Sequence, residues 1–190
     1  SMYIRLLQAS NNPYLLTRDL SEDVIKDFFY NEEEEVNESD SLVDSVDKTV
    51  YLDEEIKQLV SEIGMTSKFK EGINLVNNLV SEGKQVLVWG IFVDTLEKIK
   101  SELQNRGISC EIIYGGTDSE MRKTIINSFK AGYIKVLITN PHTLAESVSL
   151  HKNCHDAVYF EYSFNLTHML QSKDRINRLG LKDDDYTQYY

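Results

Sequence analysis

The sequence predicts an α/β fold, a parallel sheet with helices on both faces, preceded by a helical and acidic N-terminal extension. Two observations carry this. From about Lys68 onward, segments whose apolar residues recur at helical spacing alternate with short runs of Val, Leu and Ile. Those runs are continuously apolar rather than alternating, as expected of strands buried on both faces.

Each element follows from its own residues. Phe69, Ile73, Val76 and Val80 fall at i, i+4, i+7 and i+11 and define one helix face, which Gly83 ends. Val86-Leu-Val-Trp89 is then a buried strand, followed by Gly90. Phe92, Leu96, Ile99 and Leu103 mark a second helix, opened by an Asp94/Glu97 capping pair and stopped by Gly107. Cys110 to Tyr114 reads as a strand ending at Gly115-Gly116, and Thr117 with Glu120 has the spacing of a capping box for a helix reaching Phe129. Lys135 to Thr139 is the next strand, and a polar segment from Asn140 to Lys152 leads to another at Ala157 to Phe160. A helix from about Thr167 to Asn177 follows, and Tyr186 to Tyr190 reads as a strand cut short by the end of the chain. Ser1 ahead of Met2 reads as the scar of a cut-out fragment.

Upstream, Ile56, Leu59, Val60 and Ile63 fit a helix whose first turn is Asp53-Glu54-Glu55. Val50-Tyr-Leu-Asp53-Glu54 mimics the strand and Asp-Glu pair that hold magnesium in nucleotide hydrolases. The apolar stretch is only three residues, however, and Asp53 suits an N-cap beside a positive helix terminus. Residues 1–66 therefore form the extension and residues 67–190 the sheet domain, which lacks the rest of its last strand.

Composition excludes several classes. The 190 residues are 41% apolar and 27% charged with two prolines, which describes a globular chain with a core rather than a disordered one. Neither a membrane-length apolar run nor a secretory signal is present, so an intracellular protein without membrane contact is expected. Two isolated cysteines, Cys110 and Cys154, fit a reducing compartment. The formal charge of −11 resides in residues 1–66, with sixteen acidic and five basic side chains, whereas residues 67–190 carry fifteen of each. Within the extension, residues 31–48 begin with Glu32 to Glu35 and read as a solvated, mobile insert. The alternative is an acidic arm that competes with nucleic acid for a basic groove.

No phosphate loop of the form Gly-x-x-x-x-Gly-Lys-Ser/Thr occurs, since Gly83-Lys84 is followed by Gln85. No dinucleotide fingerprint or nucleophile elbow takes its place. His151, Cys154 and His155 fall at i, i+3 and i+4 but lack a fourth partner, so no metal site is assigned. The strongest pattern is Gln171-Ser-Lys-Asp-Arg175-Ile-Asn-Arg178-Leu-Gly180, which on a helix turns Gln171, Arg175 and Arg178 to one face. Two neighbouring guanidiniums either grip an anion such as a triphosphate or pair with nearby carboxylates such as Asp174. Spacing alone leaves both readings open.

That segment resembles the last helicase motif of Swi/Snf-type superfamily-two ATPases, whose Gln-x-x-x-Arg-x-x-Arg core matches Gln171, Arg175 and Arg178. Leu7-Gln-Ala-Ser-Asn-Asn-Pro-Tyr-Leu-Leu16 resembles the segment that opens the second half of those motors, and Lys84 to Gly90 is similar to their strand after the first core helix. Tyr114-Gly-Gly-Thr117 with Arg122 and Phe129 resembles a further pattern of the family, and Asn140 to Leu150 stands where the fifth motif belongs. Leu144, Ala145 and Ser147 replace glycines usual in that motif, and Leu181 stands where many relatives have Gln. These departures resemble a bacterial or phage-like branch, which implies a cytoplasmic location.

The resemblance implies a RecA-like helicase C-terminal lobe, the second motor lobe of an ATP-dependent translocase on double-stranded DNA. ATP and Mg2+ would be held mainly by an upstream N-terminal RecA-like lobe of the same protein. Arg175 and Arg178 would act as arginine fingers, and Gln171, Glu146 and Ser147 would bind nucleotide. Gly115, Gly116, Thr117, Asn140, His142 and Thr143 would line the DNA backbone. The fragment alone is then expected to be inactive. The alternative is a non-catalytic RecA-like docking module in a DNA-processing complex. Independently of any resemblance, Gly90, Gly115-Gly116, Asn140 and Glu161 each follow an expected strand, where parallel sheets collect their ligands.

Overall fold

The computed structural model describes residues 2–17, 58, 64–141, 143, 149–162, 166–177 and 186–190. The acidic insert and the expected helix over 56–63, apart from Gln58, lie outside them. The chain divides into two units, residues 1–70 with 163–165, and residues 71–162 with 166–190.

The first unit opens with α1 (Met2–Asn11) and a 3-10 turn (Pro13–Thr17). Arg5 ties them together, its Nη1 donating to Gln8 Oε1 at 3.1 Å and to the Leu15 carbonyl at 3.3 Å. Ile4 and Leu15 are buried. Helix α2 (Ser67–Ser81) starts in this unit, where Thr66 Oγ1 accepts from Phe69 N at 3.2 Å, and continues into the second.

The second unit continues with β1 (Val86–Trp89), α3 (Val93–Asn105), β2 (Cys110–Ile113), α4 (Ser119–Lys130) and β3 (Val136–Thr139). It ends with β4 (Asp156–Tyr159), α5 (Leu166–Lys173) and β5 (Gln188–Tyr189). The strands form one parallel sheet in the order β2-β3-β1-β4-β5. All four residues of β1, β3 and β4 are buried, as the unbroken apolar run of β1 implies, and the burial takes in Thr139 of β3 and Asp156 of β4. Their side chains alternate between two helical layers. On one face Leu87, Trp89, Leu137 and Tyr159 meet Ile125 and Phe129 of α4. On the other, α3 lies against β2 and β3, and α2 approaches so closely that a Cβ on Gly72 would come within 2.7 Å of the Phe160 ring.

Where boundaries differ from expectation, the cause is local. Gly83 ends α2 at φ +86, with Gly83 N donating to Val80 O at 2.9 Å and Lys84 N to Leu79 O at 3.1 Å. This reversal buries Leu79, and Val80 stays half-exposed although the helical period favours it. At α4 the cap is Asp118, not Thr117. The Asp118 carboxylate accepts from Glu120 N at 3.0 Å and Met121 N at 3.2 Å, while Thr117 Oγ1 accepts from Tyr114 N and closes the preceding turn. Asp94 does not cap α3, because Phe92 holds that position with no side-chain cap of its own. Helix α5 stops at Lys173 rather than Asn177. The chain then tightens to i→i−3 bonds, Arg175 N to Ser172 O and Ile176 N to Lys173 O, and Leu150 N takes the Arg175 carbonyl at 3.0 Å.

Candidate nucleotide and nucleic-acid interface

The register sets the carboxyl edge of the sheet. Ile113 lies beside Thr139, Thr139 beside Trp89, and Trp89 beside Tyr159, so the loops after β2, β3, β1 and β4 leave at one level. Gly90 N donates to Thr139 O at 3.1 Å, and Phe160 N to Trp89 O at 2.9 Å, which holds the exits in line.

Glu161 is the centre of this edge. It is 1% exposed, and its Oε2 accepts from Ile91 N at 2.7 Å and Phe92 N at 3.1 Å while Oε1 accepts from the Thr95 hydroxyl at 2.9 Å. A carboxylate from the loop after β4 thus supplies the missing cap of α3, where orphan N–H donors and the helix dipole favour negative charge. Gly90 beside it leaves room for Leu96, since a Cβ there would lie 2.7 Å from Leu96 Cδ2 but at ordinary contact distance, 3.6 Å, from Glu161 Oε2. Sequence reasoning placed Glu161 only as a residue after a strand. The capping partner lies about seventy positions away, beyond any local signal.

Apart from Gln171 and Arg175, the expected site residues fall on the turns after β2 and β3 or lie outside the described residues. Gly115 and Gly116 are exposed in the turn that ends β2, and a Cβ on Gly115 would meet open space. Thr117 is half-buried with its hydroxyl oxygen engaged by Tyr114 N. Asn140 and Thr143 form the turn after β3, where Asn140 Oδ1 accepts from Thr143 N at 3.1 Å, and Thr143 points inward at 7% exposure. His142, Glu146, Ser147 and Arg178 lie outside the described residues.

Arg175 bonds back to the main chain of Gln171. Arg175 Nε donates to the Gln171 carbonyl at 3.1 Å, and Arg175 is 6% exposed on the turn after α5, not on a continuing helix. Between them Ser172, also buried, shares a 2.7 Å hydrogen bond with the Tyr159 hydroxyl. Burial pushes the Tyr159 phenol well above its usual value, so it stays protonated at neutral pH.

The opposite edge carries a cluster that sequence reasoning missed. Asp156, 1% exposed, accepts from the Tyr186 hydroxyl at 2.8 Å and the Tyr190 hydroxyl at 3.2 Å, with Lys84 Nζ 3.9 Å away. It fastens β5 to β4. Cys154 faces inward, its Sγ donating to the Gln85 carbonyl at 3.3 Å, and burial pushes its thiol up to about 12.

A family model, the helicase conserved C-terminal domain, matches residues 67–180, more than half of the chain. Over 87 residues the chain is 36% identical to the pre-mRNA-processing ATP-dependent RNA helicase prp-5 of Neurospora crassa, and 33% identical to PRP5 of Chaetomium globosum. Each match covers 44% of this chain but only 7% and 8% of those proteins, so the chain spans a small part of the curated relatives it matches. Among solved structures, the C-terminal part of the Fun30 ATPase domain superposes with a TM-score of 0.63 at 19% identity, over 99% of this chain and 65% of that one. The Pyrococcus furiosus Hef helicase domain superposes with a TM-score of 0.53 at 20% identity, over 66% of this chain and 28% of that one. These two likenesses establish the RecA-like helicase fold.

Proposed function

Because the chain belongs to the helicase conserved C-terminal domain family of superfamily two, we propose that it is the second motor lobe of a Swi/Snf-type ATPase that translocates on double-stranded DNA. In this reading an N-terminal RecA-like lobe binds ATP and Mg2+, and the lobe described here completes the site. The observation that carries it is the fixing of Arg175 on the segment after β4, its Nε bonded to the Gln171 backbone carbonyl and the neighbouring Ser172 anchored to the core through Tyr159. Such a mounting fixes a guanidinium before the chemistry begins, as stabilisation of developing phosphoryl charge requires.

Arg175 and Arg178 are the finger candidates, with Gln171, Glu146 and Ser147 on the nucleotide side. Gly115 and Gly116 are the described members best placed for a phosphate backbone, because their amides stand in an exposed turn. Thr117, Asn140, His142 and Thr143 complete the proposed DNA-facing set. The carboxylates that the structure describes at this edge are engaged, Glu161 in three hydrogen bonds and Asp118 as the α4 cap. In this reading Mg2+ is held mainly by the companion lobe.

The departures in the fifth motif favour a bacterial or phage-like branch and a cytoplasmic location. Among the described residues no helix is long and apolar enough to cross a membrane. The burial of Arg175 favours a second reading, a non-catalytic docking lobe in which that side chain is purely structural.

ATP turnover separates these functions. The 190-residue chain alone is expected to be inert. The protein joined to its companion lobe is expected to hydrolyse ATP faster with double-stranded DNA than with RNA or none. Stimulation by RNA alone would move the substrate toward that of the named fungal relatives, and no hydrolysis under any condition would favour docking.

A further inference from the structure

We propose that Tyr162 is a stacking platform for a nucleobase at the carboxyl edge of the sheet. This deepens the nucleotide-lobe reading above and rests on it for the neighbouring phosphate contacts. Three aromatic rings run from the core to the surface here. Trp89 is fully buried and stacks on Tyr159, with centroids 6.1 Å apart and planes at 19°. Tyr159, 7% exposed, stacks in turn on Tyr162 at 5.2 Å and 4°. Tyr162 is 44% exposed.

The outermost ring is thus supported from behind by a neighbour that cannot turn, because the Tyr159 hydroxyl is bound to buried Ser172 at 2.7 Å. The backbone before it is equally fixed, since Glu161 is locked into the cap of α3. A flat ring held parallel to a rigid stack loses little freedom when a planar ligand covers it, and offset stacking is the geometry such ligands prefer.

The ligand class follows from the surroundings. Ser172, which orients the stack, adjoins Gln171 in the chain and lies three residues before Arg175. In the nucleotide-lobe reading the phosphate-side residues Gln171 and Arg175 belong to the segment whose Ser172 holds the Tyr159 hydroxyl behind the stack, and a nucleobase carrying phosphate suits both. Every base offers a π-face, so such a platform discriminates bases from other ligands rather than one base from another. Bases paired within a duplex present no free face, which leaves adenine of ATP or an unpaired base of a single strand as the source.

The test uses the 190-residue chain, its Tyr162→Leu variant, which keeps apolar bulk without a ring, and its Tyr162→Trp variant, which keeps the ring. Each is titrated with ATP, inorganic tripolyphosphate, a short single-stranded oligodeoxyadenylate and an abasic oligomer of equal length. The wild type is expected to hold ATP about tenfold more tightly than tripolyphosphate. Tyr162→Leu is expected to erase that difference, Tyr162→Trp to retain it, and tripolyphosphate affinity to stay constant. If Tyr162→Leu instead erases the preference for the oligodeoxyadenylate over the abasic oligomer and leaves ATP unchanged, the base comes from a strand and the platform stands. A wild type that prefers neither base-bearing ligand, or preferences equal in all three proteins, overturns it. Tripolyphosphate uptake reads the phosphate side separately, so its failure counts against the nucleotide-lobe reading and not against Tyr162.

Discussion

Glu161 illustrates how one side chain organises the edge where ligands are expected. Burying a carboxylate is costly unless its oxygens are satisfied, and here two backbone amides and a hydroxyl satisfy them. Removing it leaves those three donors facing the interior. Glu161→Ala is expected to lower unfolding free energy by about 3 kcal/mol, whereas Glu161→Gln, which keeps one acceptor oxygen, loses roughly half as much. Urea denaturation followed by circular dichroism measures both. Equal and small losses would show that α3 does not depend on this cap.

Among the elements, α4 allows the sharpest comparison because its observed cap, Asp118, adjoins the expected one, Thr117. Asp118→Ala is expected to cost about 1 kcal/mol through loss of the bonds to Glu120 N and Met121 N. Thr117→Ala breaks only a single bond in a half-buried turn and is expected to cost less. The reverse order in thermal denaturation would return the cap to Thr117. The error in reading the sequence was one residue, since Thr117-x-x-Glu120 has the capping-box spacing whereas Asp118, with Met121 three residues on, caps through its own carboxylate alone. Strands β1 to β4 were legible because each is a short, mostly apolar run bounded by turn residues, and Gly83 and Gly107 marked helix ends correctly through their positive φ of 86 and 75. The end of α5 was not legible, because no local signal marks Lys173 and the turn beyond it is tied to a distant segment through Leu150 N and the Arg175 carbonyl, twenty-five positions apart. The same holds for the site. Helical spacing and the helicase resemblance singled out Gln171 and Arg175 as candidates, although Arg175 lies on the turn beyond the helix, whereas the Glu161 contacts and the Tyr159–Ser172 support depend on tertiary neighbours.

At the scale of the whole molecule, the buried ionisable groups give stability a defined pH dependence. Burial pushes the Cys110 thiol up to about 11 and the Cys154 thiol up to about 12, against an ordinary value of 9.0. Both are raised acids, so the folded state keeps its protons where the unfolded chain loses them. Their contribution is complete below pH 9 and is lost progressively between pH 9 and the folded values of about 11 and 12. Tyr159, also raised, acts in the same direction. The thermal midpoint is therefore expected to fall as pH rises above 9, and a Cys154→Ala variant to fall less steeply. A midpoint independent of pH up to 11 would contradict the burial of these groups.

The same architecture leads to the central claim, that a sheet edge built without a phosphate loop serves a nucleotide delivered by a companion lobe. Arginine fingers in other nucleotide hydrolases contribute roughly 10³ to 10⁵ in rate. The most direct measurement is DNA-stimulated ATP turnover by the protein joined to its companion lobe and carrying Arg175→Lys, which keeps the charge and loses the planar fork. With folding checked by circular dichroism, turnover is expected to fall at least about a hundredfold while DNA binding persists. Turnover equal to that of the unmodified protein would contradict the account.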